Sequence, residues 1–474
     1  MSSFTFNYVR LGLVVFIVAL ALGLELGKIY AAQAALVLSA LVVAVFAVCR
    51  IKEIKVFPRI IFLIAFAAIL GLGRGAFVNT SSILPREFEA VVFSDTVPTS
   101  YGSMTAVSLS ESGKLLKVYS TRYPEFNTGD KVNIQIKSSN FKSPSYASGT
   151  IILIEADRGN KIFSLLAGVK RGFLNKLSEV LPEPHAAFVA GTVIGGAAGI
   201  PQHIKDKFTV SGLSHILAAS GYNFTLLLVF FTFLLRSFSL KKQTIVFLLI
   251  IPAFAIIAGA SPSVIRAGAM GALVSVGLFL GRISTAKTAL LWAAAIMLFL
   301  NPTLLKYDLG FQLSFLATAG LVLIIPIFER ISKINPELDH RSLKSKIKLT
   351  MIEIFFASLA AQIVTLPLLV FTFGSISTVA LFANLLVVPI IPLIMVSGIV
   401  ASAVALVSTT LGQIVGFLAY IIASYVFTVV DVFANFSWSQ ITVSVSANFI
   451  WLSYMGLIFA IALFHIKFLK HKYG

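Results

Sequence analysis

Apolar runs of membrane length recur along this 474-residue chain, broken by short polar pieces. A helix needs roughly 17–25 residues to cross about 30 Å of hydrocarbon. Three runs come first, near residues 11–27, 30–49 and 59–78. From 208 onward nine more follow, near 208–236, 244–260, 264–281, 285–300, 310–328, 350–373, 379–408, 411–432 and 448–466. The pattern predicts a polytopic α-helical membrane protein of about 12 crossings. The 379–408 run holds Pro389 and Pro392, so it reads either as one crossing or as a broken, re-entrant helix.

Residues 80–158 behave differently. Alternation of period two appears in "EFEAVVFSD", "SMTAVSLS", "KLLKVYSTRY", "DKVNIQIKSS" and "GTIILIEA", separated by turn signals such as "SGK" and "NTGD". Five short strands predict a small all-β barrel, and the OB-fold is the five-stranded candidate. Next comes "NKIFSLLAGVKRGFLNKLSEVL", where Ile162, Leu166, Val169, Phe173, Leu177 and Val180 recur at helical spacing among basic residues. It reads as an interfacial amphipathic helix or as a packing helix under the barrel. The organisation is therefore 1–79, N-terminal transmembrane helices; 80–158, an extracytoplasmic OB-like domain; 159–206, amphipathic or interfacial helices; and 207–474, a polytopic domain.

Composition supports this division. The chain is 58% hydrophobic and only 12% charged, against about 25% charged in soluble domains. Its net charge of +18 collects in short loops: "CRIKEIKVFPR", Arg236 to Lys242, Arg330 to Lys348 and "HIKFLKHKYG". The positive-inside rule accounts for such loops without invoking nucleic acid. Counting crossings places both termini in the cytoplasm and the barrel outside a cytoplasmic membrane. The barrel segment itself balances eight acidic against eight basic residues. Its candidate strand-binding residues are Tyr101, Lys117, Tyr119, Arg122 and Tyr123, aromatic and basic groups of the kind that stack bases and meet phosphates.

Several chemistries lack their residues. Cys49 is the sole cysteine, the six histidines show neither HxH nor HExxH spacing, and no GxxxxGK[ST] loop occurs. No metal or cofactor is expected, and the chain does not read as its own ATPase.

The polar residues inside the apolar runs are the informative ones. "GLSHILAASGYNFTLL" (212–227) carries Ser214, His215, Ser220, Gly221 and Asn223. On an ideal helix Gly212, His215, Ala219, Tyr222 and Asn223 share one face. Ser220-Gly221 marks a kink or break. Polar groups at membrane depth face a protein interior or a water-filled cavity, and interhelical hydrogen bonding is the plainer alternative. "GASPSVIRAGAMGALVSVG" (259–277) puts Arg266 in or near a membrane helix, which costs about 2.5–3.5 kcal/mol on insertion scales. Gly259, Ser263, Ala267, Gly271 and Ser275 form a small-residue stripe at i+4 spacing. Arg266 then points elsewhere, or snorkels to the outer headgroups. Asp308, Gln312, Ser314 and Thr318 follow in "DLGFQLSFLATAG", then Gln362 and Thr365, then Asn384. Together these spans read as a lined passage.

The same segments carry a resemblance. "AFVAGTVIGGAAGIPQHIKDKFTVSGLSHILAASGYNFTLL", "SPSVIRAGAM", "NPTLLKYDLGFQLSFLATAGL", "AAQIVTLPLLVFTFGSIS" and "ANLLVVPIIP" occur in that order. Over roughly 180–410 they resemble the competence domain of the ComEC family, the inner-membrane DNA channel of natural transformation. The resemblance implies transport of single-stranded DNA across the bacterial cytoplasmic membrane, with Ser214, His215, Ser220, Gly221, Arg266, Gln312 and Gln362 along the passage. Asn223 stands where members often have histidine. Many members carry a metallo-β-lactamase-like nuclease domain, but no HxHxDH motif occurs here. A separate nuclease and a cytosolic ATPase or strand-binding protein are therefore expected partners, beside the DNA and the lipid bilayer. Whether the passage lies in one chain or in a homo-oligomer stays open. Other readings are a transporter of another polymer or solute and a membrane-embedded hydrolase. Ser214 and His215 point about 100° apart on a helix, which disfavours a nucleophile–base pair.

Overall fold

The computed structural model describes residues 10–25, 66–72, 74–75, 86–99, 102–109, 115–121, 126, 129–138, 146–155, 161–196, 199–217, 221–259, 262–279, 285–332 and 343–473. They fall into two compact units. One comprises Met1–Phe126, Asp130–Ala156 and Ala269–Gln312; the other comprises Asn127–Gly129, Asp157–Gly268 and Leu313–Gly474.

In the first unit, helices α1 (residues 10–25) and α2 (residues 66–72) pack through Ala19, Ala68 and Leu72. The five predicted strands form: β1 (Glu87–Thr99), β2 (Gly102–Leu109), β3 (Leu115–Ser120), β4 (Lys131–Ser138) and β5 (Tyr146–Glu155). They close into a barrel of order β1-β2-β3-β5-β4, antiparallel except for the β3–β5 pair. Alternation drives the closure. Along β2 every second residue is buried, and Val92, Val107, Leu116, Val118, Val132 and Ile134 fill the interior.

Helix α3 (Lys161–Val180) opens the second unit. Its Leu177 and Val180 enter the main core, while Ile162, Leu165 and Val169 stay exposed. The C-terminal half packs into that helical core, and the N-terminal half leaves an apolar face exposed. Along the chain there follow α4 (His185–Val193), α5 (Gln202–Val210), α6 (Ser214–Leu217), α7 (Gly221–Leu234), α8 (Leu240–Ile257), α9 (Pro262–Phe279), α10 (Ala286–Leu300) and the one-turn α11 (Leu304–Tyr307), these last two in the first unit, then α12 (Leu309–Ser332) and α13 (Leu343–Phe373). After strand β6 (Ser375–Ser377) come α14 (Ala380–Val387), a 3₁₀ turn (Val388–Ile390), α15 (Ile391–Ala405) and α16 (Thr409–Ala434). Strand β7 (Gln440–Thr442) pairs antiparallel with β6, and α17 (Ala447–Tyr473) follows.

Five described helices are long and apolar enough to cross a membrane: Leu240–Ile257, Leu309–Ile331, Lys348–Phe373, Ala380–Ala405 and Thr409–Ala434. Within the 379–408 run, Ala380–Ala405 is one continuous helical stretch, long and apolar enough to cross a membrane. Pro389 and Pro392 sit at first-turn positions, where no intrahelical N–H is needed, so the chain tightens into a 3₁₀ turn and continues. The single crossing expected over 208–236 differs: α5 ends at Val210, and a turn at 211–213 separates it from the helical residues that follow.

Small residues set the packing around this core. Along α16, Gly412, Gly416, Ala419 and Ala423 make a smooth buried stripe. A Cβ at Gly412 would crowd Ala405 of α15, and one at Gly398 would strike Val189 of α4. Where hydrocarbon surrounds the helices, such close approach is the main source of cohesion.

Candidate functional site

Arg266 lies one turn into α9 and is partly buried. Its Nη1 donates to the hydroxyl of Thr318 on α12, and that hydroxyl donates onward to the carbonyl oxygen of Ser314 at 2.9 Å. Its Nη2 lies against Gly221 of α7, where a Cβ would collide with it. The Phe315 ring lies 5.9 Å from the guanidinium carbon, within cation–π range. Nε is buried and has no hydrogen-bond partner. α7 and α12 hold Arg266 through these contacts.

Gly221 is the first described residue of α7, and Ser220, the other half of the expected break, lies outside the described residues. A side chain at Gly221 would have to displace the end of Arg266 from the space it occupies. Close packing on α9 also occurs outside the expected small-residue stripe. The tight contact of α9 falls at Gly268, where a Cβ would meet Ile251 of α8, and buried Val264 lies one turn before it. Phe224, fully buried, fills the adjoining space, so Ala267 is left to face Gly221.

Other selected residues group less tightly. Gly212 has φ +75°, and a Cβ on it would collide with Ala380 at the start of α14. This brings the "SGLSH" segment against the helix that carries Asn384. Asn384 is 6% exposed and its Oδ1 has no hydrogen-bond partner. Gln362 Nε2 on α13 is likewise buried without one. Asn223 is buried on α7. Ser214 and His215 are exposed, and no hydrogen bond joins them among the described residues. Gln312 spends its amide locally, donating to Leu305 O at 2.8 Å. Lys117 and Tyr119 alternate with buried Leu116 and Val118, so both lie on the outer face of the barrel. Tyr101, Arg122, Tyr123 and Ser220 lie outside the described residues.

Two partners escaped the sequence reading. Thr318 stood among the polar groups of its span but was passed over for Gln312; its position two turns into α12 was the available signal. His185 bonds Ser424 of α16 at 2.9 Å, between the rings of Tyr420 and Phe427. Nothing in the sequence links two residues so far apart. No cluster of metal-ligating side chains occurs among the described residues.

These features define a polytopic helical membrane protein that joins a small β-barrel to a bundle with a polar interior. The family model described as "competence protein" matches residues 192–468, which contain Gly212, Gly221, Arg266, Thr318 and Asn384. The chain belongs to that family. It is 25% identical over 257 residues to ComE operon protein 3 of Bacillus subtilis (strain 168), an alignment covering 54% of this chain. The chain spans 30% of the length of that curated relative. No solved structure matches it.

Proposed function

We propose that this protein conducts single-stranded DNA across the cytoplasmic membrane during transformation, as a passive conduit worked by a separate motor. The observation that carries this reading is the meeting of Gly221 and Arg266, two segments far apart in sequence and both within the family match. A membrane protein gains nothing in stability by burying an arginine without a carboxylate, so the group is retained for what passes it. Asn384 and Gln362 add polar atoms with unmet hydrogen bonds to the same bundle. The barrel, read as OB-like and extracytoplasmic on a chain of about 12 crossings, offers Lys117 and Tyr119 to an arriving strand.

The energetics require a partner. An interior about 100 mV negative opposes each inward-moving phosphate charge by about 2.3 kcal/mol. Fixed dipoles and cations lower barriers within a passage but supply no work. A cytosolic ATPase or strand-binding protein must therefore draw the strand inward.

The test is entry of labelled DNA into the cytoplasm of the native host. Wild type, a deletion, and the deletion complemented with Arg266→Ala are compared. The expected result is no entry in the deletion and little rescue by the variant. Undiminished entry in the deletion would overturn the reading.

A further inference from the structure

A cation inside a membrane bundle is ordinarily matched by a carboxylate. Among the described residues no ion pair involves Arg266, whereas Lys131–Glu89, Lys176–Glu179, Lys207–Asp431 and Lys306–Glu25 are paired. Its one hydrogen-bond acceptor among those residues is a neutral hydroxyl, which uses its own proton on a backbone carbonyl. Its Nη2 lies against Gly221 of α7. The buried charge thus opposes the resting position, while sterics and one hydrogen bond enforce it. Such conflicts between local preference and observed placement concentrate at functional sites.

The guanidinium offers two edges for paired hydrogen bonding. Thr318 engages Nη1 and so occupies the end-on edge. The side edge, formed by Nε and Nη2, carries no hydrogen bond among the described residues, and Nε is shut off from solvent. That edge is the fork that takes two oxygens of a phosphate or carboxylate side by side. Phe315 covers the guanidinium from another side without supplying an acceptor.

We propose that the side edge of Arg266 is a phosphodiester-binding point, engaging one backbone phosphate of the strand at a time, and that Thr318 and Gly221 are its positioning residues. The proposal rests on the conduit reading and deepens it. Thr318 holds Nη1 and fixes the rotation of the guanidinium. Gly221 leaves the room in which Nη2 sits. Each phosphate loses its hold when the next one arrives, because a single bidentate contact is strong enough to guide and weak enough to release.

The experiment uses the full-length protein in detergent and a fluorescent single-stranded oligonucleotide, with affinity measured over a series of salt concentrations. Each phosphate contact on a single strand contributes about 0.7 to the slope of log affinity against log salt. Arg266→Gln is expected to lower affinity about tenfold and to flatten the slope by about 0.7. Arg266→Lys keeps the slope and loses part of the affinity, since a point charge replaces a fork. Thr318→Val preserves shape and removes the hydroxyl; it is expected to weaken binding several-fold, with Thr318→Ser restoring it. A purely structural role for these residues would leave the slope unchanged. Overturning outcomes are distinct. An unchanged slope in Arg266→Gln, with Thr318→Val binding as wild type, refutes the phosphate point and leaves the conduit standing. Wild-type protein that binds no oligonucleotide at any salt refutes both.

Discussion

In the barrel, Ser103 is 1% exposed and its hydroxyl is bonded to Thr121 O at 2.7 Å and to Ser120 Oγ at 3.0 Å. In the bundle, Asn384 is nearly as buried, yet its Oδ1 bonds to nothing. The contrast is one of degree, since Asn133 Oδ1 of the barrel is also buried without a partner and the bundle bonds hydroxyls such as Thr192 and Ser397. The barrel hides apolar alternation and pairs its buried hydroxyls, as Thr96 and Thr105 do at 2.9 Å. The bundle turns Leu393, Phe417 and Trp451 outward and keeps the unmatched atoms of Arg266, Gln362 and Asn384 within. A buried polar atom without a partner costs about 1–3 kcal/mol. The barrel has reasons of stability for its polar placements. The bundle's placements work against stability and call for a functional explanation.

The largest expected effect tests whether the bundle's polar interior is loosely built. Gly212→Val forces a β-branched residue into φ +75° and drives its side chain into Ala380. Strain and overpacking together are expected to cost about 2–4 kcal/mol, seen as a lower melting temperature of the detergent-purified protein and loss of DNA entry. Gly456→Val on α17, where nothing lies within 4 Å, is the control and is expected to be nearly neutral. Tolerance at Gly212 would mean that the segment does not dock on α14, and that the bundle is softer there than the barrel core.

A matched pair of substitutions tests the contrast itself. Ser103→Ala in the barrel removes a satisfied hydroxyl and is expected to destabilise it by about 1–2 kcal/mol, read by limited proteolysis of the full-length protein. Asn384→Leu removes an unsatisfied amide from a comparably buried position. Stability is expected to hold or rise by up to about 1 kcal/mol, while DNA entry falls. Equal destabilisation at both sites would mean Asn384 is structural after all.

The two regions also differed in legibility. Period-two alternation located all five strands, because a half-buried strand writes its burial into every second residue. The bundle's long spans were equally plain, since twenty apolar residues admit few other readings. Pairings were not. Arg266 stood out by its charge, and Gly221 by the break expected beside it, but their contact joins separate helices. Thr318 differs from the other hydroxyls of the bundle only in which helix it faces. Ser214 and His215 drew notice through residue type, yet they open the helix Ser214–Leu217 and both are exposed. Periodicity reports which face of an element is buried. It carries no record of what that face meets.

The smallest effect concerns His185, whose environment belongs to neither pattern. Its Nε2 bonds Ser424 Oγ at 2.9 Å, and its Nδ1 is buried without a partner. Burial pulls its imidazole below the ordinary 6.5. The folded state therefore resists a proton that the unfolded chain accepts as pH falls through 6.5. Stability is fully present above that value and drains away as pH drops toward the lowered folded value. Melting temperature is expected to decline gently from neutrality to about pH 5, before most carboxylates titrate. His185→Gln is expected to flatten that decline while keeping a polar group for Ser424. A decline that persists unchanged in His185→Gln would place its origin elsewhere. It would also leave this Ser–His pair as packing between α4 and α16, like the bonded hydroxyls of the barrel. A flattened profile would instead give the bundle one titratable contact in its main core, well separated in sequence from Arg266.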